Sequence, residues 1–218
     1  MKRFGQVMVA VVLGTMWTAH AAQAQTADHP WAAQVDGAAT LGQSSSSSFG
    51  GEVDRRLGGS LDVTVEAGAM KNITSSALQG RANIIGQQIG ATANPIQKAT
   101  YYDIGLKYRL MPDGKWNPYV SLGVGGARVS TTTTFTQAGA VLSDAQLAAN
   151  FVALGADLDG HIMKPFATLG LGLQVPVGQK FFLDGSFRYG RVFPRTSEID
   201  GDKAVNASRV QIGLGIRF

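Results

Sequence analysis

Histidine, serine and carboxylate side chains are the groups with which an enzyme performs acid–base or nucleophilic catalysis. This chain has three histidines and no cysteine among its 218 residues. No serine stands two residues after His161, where Met163 is found, and His29 lies in a segment predicted to be a flexible leader. We therefore interpret His29 and His161 as solvated histidines, assign no catalytic residue and predict that the protein is not an enzyme.

Two further motifs could bind a metal or a cofactor. Asp157-Leu158-Asp159-Gly160 looks like part of a calcium loop, but Gly155 stands where the first carboxylate belongs and no glutamate closes the motif. Gly123-Val124-Gly125 does not extend to a dinucleotide fingerprint, and no predicted helix follows it. The sequence therefore predicts a plain polar turn at 157–160, no metal site and no cofactor.

The charged residues follow a pattern that points to a structural use of charge. Seven acids and six bases alternate with apolar residues and fall on the polar face of predicted strands: Asp36, Glu52, Asp54, Arg56, Asp62, Glu66, Asp103, Lys107, Arg109, Asp184, Arg188, Arg209 and Arg217. In a narrow barrel these side chains would share one interior, where an unpaired charge costs several kcal/mol. We predict a charge network of paired groups and a plugged lumen rather than an open pore.

Eight segments carry this alternation, which is typical of a strand with one apolar and one polar face. They are residues 31–42, 49–57, 60–70, 100–110, 117–129, 165–175, 180–191 and 209–218. Their lengths are close to the roughly 9–11 residues that a tilted strand needs to cross the hydrocarbon layer. The predicted fold is all-β: an eight-stranded antiparallel up-and-down transmembrane β-barrel over residues 31–218.

The connections alternate in length. Three are short turns with glycine or proline chemistry: 58–59, 111–116 and 176–179. Three are long: 71–99, 130–164 and 192–206. The serine-rich connection 42–48 is a short exception to the pattern. Because bacterial barrels have short periplasmic turns and long extracellular loops, we predict that both ends of the domain are periplasmic. Ser143 and Gln146 form a capping-box pattern, which predicts a short helix in the fifth connection.

Residues 1–24 have the order of a secretory signal peptide. Lys2 and Arg3 precede an apolar run at 7–17, which is too short to cross a bilayer as a helix, and Ala22-Gln23-Ala24 is an A-x-A cleavage site. We place cleavage after Ala24, with Ala21 as the alternative, and assign 25–30 to a periplasmic leader. Loss of Lys2 and Arg3 lowers the formal charge from +4 to +2. This mild charge, without a basic cluster, argues against a nucleic-acid partner.

Three segments carry a family resemblance: 101–108, 117–127 and 184–190. The most specific is Asn117-Pro118-Tyr119-Val120, followed after Ser121 by Leu-Gly-Val-Gly. They resemble the β-barrel domain shared by small proteins of the outer-membrane protein A and opacity-protein kind, over essentially the whole mature chain. The resemblance implies a barrel in the bacterial outer membrane. It transfers no catalytic residue, because these are barrel-wall motifs, and no peptidoglycan-binding domain is expected after the barrel.

The last strand carries a second resemblance. Its apolar face consists of Val210, Ile212, Leu214, Ile216 and Phe218. This face resembles the C-terminal assembly signal of bacterial outer-membrane barrels, which implies that the barrel insertion machinery and periplasmic chaperones are partners. Outer-membrane lipid and lipopolysaccharide are the other expected partners, and we predict a monomer.

The leading functional hypothesis is an integral outer-membrane barrel with a charge-filled, closed lumen and a surface or interaction role in its loops. The second is a narrow channel for small or hydrophobic solutes. A lipid-modifying outer-membrane enzyme is third, disfavoured by the scarcity of histidine and the lack of cysteine. A soluble secreted barrel that binds a ligand inside is fourth, because thirteen lumen charges argue against it.

Overall fold

The computed structural model describes residues 29–41, 45–112, 114–150, 152, 154, 158–194 and 204–218. The predicted signal peptide and residues 25–28 of the predicted leader lie outside the described residues. The same is true of Asp113 in the fourth connection, and of Gly155 and Asp157 in the motif that looks like a calcium loop.

The described chain consists mainly of β-strands. In chain order the elements are β1 (Trp31–Leu41), β2 (Ser46–Gly58), β3 (Leu61–Met70), α1 (Ser76–Gln88), β4 (Thr92–Arg109), β5 (Asn117–Gln137), β6 (Ala140–Val141), α2 (Asp144–Ala149), β7 (Gly160–Val177), β8 (Phe181–Val192) and β9 (Val205–Arg217). All of these strands pair antiparallel, and β6 pairs only with the end of β5. Pairing of β1 with β9 closes the other eight into a ring, so the predicted eight-stranded antiparallel barrel is confirmed.

The side chains of the barrel strands alternate between a buried inward face and an exposed outward face, as the pleat requires. The outward face carries an apolar band, shown on β4 and the residue after it by Tyr102, Ile104, Leu106, Tyr108 and Leu110, all about half exposed. This stretch is about 27 Å long at about 3.4 Å per residue. A strand tilt of about 40° reduces its height to about 21 Å, close to the about 25 Å band of membrane barrels.

We call the end of the barrel with the long connections the outer end and the opposite end the inner end. Strands β4, β5 and β7 continue beyond the apolar band at the outer end and are longer than predicted. The predicted start of the fourth strand at 100, the predicted end of the fifth at 129 and the predicted start of the sixth, which is β7, at 165 were therefore wrong. The reason is that the outward face becomes polar there, with Asn94, Lys98 and Thr132 exposed, so the alternation that marks a lipid-facing strand ends before the strand does.

The extended part of β4, before Ala99, pairs with β5 on one side, but on its other side it lies beyond the end of the pairing with β3. Residues of the third connection satisfy this edge instead. The Ile73 amide donates to the Gln97 carbonyl at 2.8 Å, and the Gln97 amide donates to Thr74 Oγ1 at 2.9 Å. Pro95 has no amide hydrogen to leave unpaired. We call the paired extensions of β4 and β5 the ribbon, and its β4 edge is therefore protected, as stable sheets require.

Both helices lie in the long connections, and neither described helix is long and apolar enough to cross a membrane. Helix α1, which was not predicted, begins after Ser75, whose side chain accepts from the Leu78 amide at 3.3 Å. Helix α2 has the predicted capping box between Ser143 and Gln146, which confirms that prediction. The two helices, the ribbon and Leu158, just before β7, bury a small apolar core: Leu78, Ala82, Ala93, Phe135, Leu147 and Leu158. The outer end is thus a packed structure.

Candidate functional site

The barrel interior is the candidate functional site, because it collects the thirteen charged residues singled out from the sequence. All thirteen lie on inward-facing strand positions. Eleven are at most 3% exposed, whereas Asp36 and Arg56 are half-buried. Strand parity places them inside, since each inward residue is separated from the next by one outward residue.

A network of ion pairs crosses the middle of the lumen. Lys107 of β4 pairs with Glu52, and its Nζ lies 2.7 Å from Asp54 Oδ2 on β2. Arg188 of β8 divides its guanidinium between Glu52 and Glu66 of β3. The neighbouring strands β2, β3 and β4 are thereby connected to β8, on the opposite side of the ring, through buried, charge-assisted hydrogen bonds, the strongest kind available to side chains.

The network continues toward the outer end through Tyr101. Its hydroxyl donates to Glu66 Oε1 at 2.8 Å and accepts from Arg209, which itself lies 3.2 Å from Glu66. The Arg209 guanidinium stacks 4.3 Å from the centre of the Tyr101 ring, and that ring contacts Phe166 at 5.3 Å between centroids. Tyr101 thus joins the charged part of the lumen to an apolar part. The sequence analysis did not single out this residue.

At the inner end, a second group of charges surrounds Asp62. Arg109 Nε donates to its carboxylate at 2.6 Å, and Arg56 lies 3.7 Å away. Arg217 has no ion pair among the described residues. Its guanidinium stacks 4.8 Å from the Phe182 ring centre and donates to Gln174 at 3.4 Å. Aromatic and amide groups therefore contribute to this end of the lumen beside the predicted charges.

Three predicted network residues have no ion pair among the described side chains and accept hydrogen bonds from neutral groups. Asp184 accepts from the Tyr119 hydroxyl at 3.0 Å, Asp103 from Thr168 at 3.4 Å and Asp36 from Gln211 at 3.1 Å. Sequence parity could have identified these neutral partners, since they occupy the same inward face as the charges. Which groups meet across the lumen depends on the strand stagger, which parity does not specify.

Above the charges, toward the outer end, the inward face becomes apolar. A buried layer fills this part: Met70, Ile73, Ala99, Tyr101, Ala127, Val129, Phe166, Val192, Val205 and Ala207. Most of these residues continue the inward parity of strands whose lower positions carry charges. The expectation of a polar, plugged lumen was therefore incomplete, because an apolar layer occupies its outer part.

Several inward glycines leave room for aromatic rings. A Cβ atom on Gly172 would overlap the Tyr119 ring, and one on Gly215 would overlap the Phe182 ring. Both rings lie under the cations of the network, with Lys107 4.8 Å from the Tyr119 ring centre. The glycines thus allow large side chains to fill a narrow interior at close packing.

The histidines considered from the sequence lie far from one another. His29 is half-buried beside Arg56 and Arg217 at the inner end, whereas His161 is exposed on β7, opposite Ser130 of β5. Among the described residues, no three His, Cys, Asp or Glu side chains are grouped as metal ligands. The interior therefore offers an ion-pair network and a packed apolar layer as its main features.

Comparison with known proteins agrees with this architecture. The family model described as outer membrane protein beta-barrel domain matches residues 9–218. None of the curated proteins compared matches the sequence. Among solved structures, the chain is similar to Neisserial surface protein A (TM-score 0.52, 13% identity, 87% of this chain and 97% of that chain). It is also similar to a major outer membrane protein from Thermus thermophilus (TM-score 0.55, 12% identity, 87% of this chain and 100% of that chain). A third similar structure is that of the outer membrane protein OprG from Pseudomonas aeruginosa (TM-score 0.51, 10% identity, 90% of this chain and 98% of that chain). At these identities the likeness concerns the fold.

Proposed function

The chain belongs to the outer membrane protein β-barrel family, and from that premise we propose that it is a closed barrel whose outer connections carry its surface role. The observation that supports this proposal best is that two different groups of side chains fill the lumen, one above the other. An ion-pair network centred on Arg188 occupies the middle, and an apolar layer around Phe166 lies above it.

The ion-pair network and the apolar layer each oppose the passage of ions, for different physical reasons. An ion that moved through the middle would have to separate buried pairs such as Arg188 with Glu66, which costs several kcal/mol when one partner is left uncompensated. An ion that reached the apolar layer would have to lose its water without finding replacement ligands. An eight-stranded barrel is also only wide enough for its own side chains. The charges therefore do not form a path for ions, and because they pair across the lumen, their role is to hold the barrel wall together.

The proposed surface role rests on the structure of the outer end. There, β4 and β5 rise above the apolar band as a ribbon, with α1 and α2 packed against it around Phe135 and Leu78. A surface of ordered elements can present a defined shape to a partner, which a chain without a core cannot do. Such a role fits the general observation that binding residues concentrate on loops carried by a rigid scaffold.

A second candidate, passage of small hydrophobic solutes, is favoured by one observation. A cavity of about 320 Å³ at the outer end is lined by Leu41, Ile73 and Val205, and by neutral polar residues such as Thr74 and Asn206. It is large enough for a small molecule. Three of its lining residues, Ile73, Val205 and Ala207, also belong to the apolar layer, so a solute would have to displace that layer to go further. We therefore place this candidate second.

We also propose that the protein is exported by a cleaved signal peptide and works as a monomer. Support for the monomer comes from the closed ring: β1 pairs with β2 and β9, so the described barrel strands leave no long edge for a second copy. The proposed ligands of the outer surface are lipid and lipopolysaccharide of the membrane, and proteins of the insertion machinery meet the chain during assembly.

Cysteine labelling tests the proposed orientation, because the sequence contains no cysteine of its own. An Ala140→Cys variant places a thiol on the exposed strand β6 at the outer end, and a Lys115→Cys variant places one in an exposed turn at the inner end. We expect a membrane-impermeant maleimide to label the first in intact cells and the second only after the outer membrane is permeabilised. Labelling of the Lys115→Cys variant in intact cells, without labelling of Ala140→Cys, would overturn the proposal.

A further inference from the structure

The outward face of the barrel has an unequal distribution of charge. Every acid on the described barrel strands faces inward, as the seven acids of the lumen network show. The exposed charges of the described strands are basic. Those at the outer edge of the apolar band are Lys98 of β4, Arg128 of β5 and Arg191 of β8, with Lys71 directly after β3. Among the described strand residues, the outward positions at this level that are charged are all cationic, which favours an anionic neighbour.

Strand register places three of these cations side by side. Thr100 lies opposite Arg128, so Lys98 is the diagonal neighbour of Arg128, at roughly 7–8 Å between backbones. Met70 lies opposite Ala99, and the chain stays beside β4 as far as Ile73, whose amide bonds to the Gln97 carbonyl. Lys71 therefore lies next to Lys98. Since strands are about 4.8 Å apart, all three flexible side chains can reach one group of phosphate size.

The height of this cluster corresponds to that of lipid phosphates. Tyr102 is the residue of the apolar band on β4 that lies nearest the outer end, and it lies opposite Gly126. The next row of outward-facing residues toward the outer end contains Thr100, Arg128 and Met163. The cluster therefore begins where the hydrocarbon layer ends. Side chains at that level meet the headgroups of the outer leaflet, and basic residues beside a membrane attract anionic lipid at about 1 kcal/mol each.

We propose that Lys71, Lys98 and Arg128 form a binding site for the phosphate groups of a phosphorylated glycolipid of the outer leaflet, of the lipid A class. Arg128 offers a planar fork of donors that suits phosphate oxygens, and the two lysines add mobile charges. The acyl chains of the same lipid lie against the apolar band below, which includes Tyr102 and Ile104. This inference rests on the proposed orientation and names one lipid contact of the outer surface.

Native mass spectrometry of the full-length mature protein in detergent, with purified lipid A added, tests the site. We expect one or more bound lipid A molecules for the wild type. In a triple variant with Lys71→Gln, Lys98→Gln and Arg128→Gln, we expect about 100-fold weaker affinity. Lipid A without its phosphates should bind the wild type as weakly as phosphorylated lipid A binds this variant. Inorganic phosphate at millimolar concentration should not displace the lipid.

The matched control removes three exposed cations from the inner end, by Arg55→Gln, Lys115→Gln and Lys180→Gln. This variant should bind lipid A like the wild type. Equal affinities for the two triple variants would overturn the proposal, and so would displacement of lipid A by inorganic phosphate, which would indicate a site for free phosphate. Cysteine labelling separates this failure from a wrong orientation. If Ala140→Cys is labelled from outside but the affinities are equal, only the lipid site is wrong.

Discussion

Replacing Arg188 with alanine is expected to lower the free energy of unfolding by about 3–5 kcal/mol, the cost of breaking a buried ion pair by removing one partner. Among the described residues, Arg188 is the one cation that contacts both Glu52 and Glu66, and all three side chains are buried. Without it, Lys107 and Arg209 would have to compensate the whole acidic middle of the lumen. Urea unfolding of the refolded protein in detergent measures the change.

Arg191 provides the matched control for this prediction. It lies on the same strand, three residues later, but its side chain is exposed outside the barrel and stacks on Phe193 at 5.7 Å. An Arg191→Ala variant should therefore change the free energy of unfolding by no more than about 0.5 kcal/mol, as is usual for surface positions. If both alanine variants unfold at the same urea concentration, the lumen charges do not hold the barrel together.

Replacing Phe218 with aspartate is expected to reduce the amount of folded barrel in cells several-fold, and by much more than it reduces refolding of the purified protein. The side chain is 55% exposed on the lipid side, in line with Ile216 and Leu214, and the substitution leaves its backbone bonds to Trp31 in place. A charge near the membrane interface costs only about 0–1 kcal/mol. A larger loss of folded barrel in cells would therefore reflect recognition of Phe218 by the insertion machinery.

Phe181 gives the control for the assembly prediction, because it is 51% exposed and lies opposite Ile216 at the same end of the barrel. A Phe181→Asp variant introduces the same charge on the same surface, but outside the proposed assembly signal. We expect heat-modifiability gels of outer-membrane fractions to show near-normal folded protein for this variant. Equal losses for the Phe181 and Phe218 variants would mean that the charge itself, and no specific recognition, limits assembly.

The sequence predicted the barrel well because each transmembrane strand carries its own signal. Lipid outside and a polar interior force strict alternation, as in residues 100–110, and this also gives the inward position of every lumen charge. Helix α2 was predictable for a similarly local reason, since Ser143 and Gln146 satisfy each other's backbone groups. Local signals of this kind do not depend on the rest of the fold.

The features that were missed depend on contacts between distant residues. Helix α1 buries only Leu78, Ala82 and Gly86, so it lacks a clear apolar face, and its formation depends on packing against β4 and Phe135. The ribbon above the membrane faces water on its outward side, which removes the alternation used to find strands. The apolar layer around Phe166 went unrecognised because the inward face was interpreted as polar along its whole length.

Current through single barrels in a planar lipid bilayer tests the closed lumen most directly. The wild-type protein, shown to be folded by its heat-dependent shift on gels, should insert without producing a steady conductance. The reason is that the Arg188 network and the apolar layer around Phe166 both fill the path. A stable conductance of the same size in every wild-type insertion would contradict the account and favour the channel.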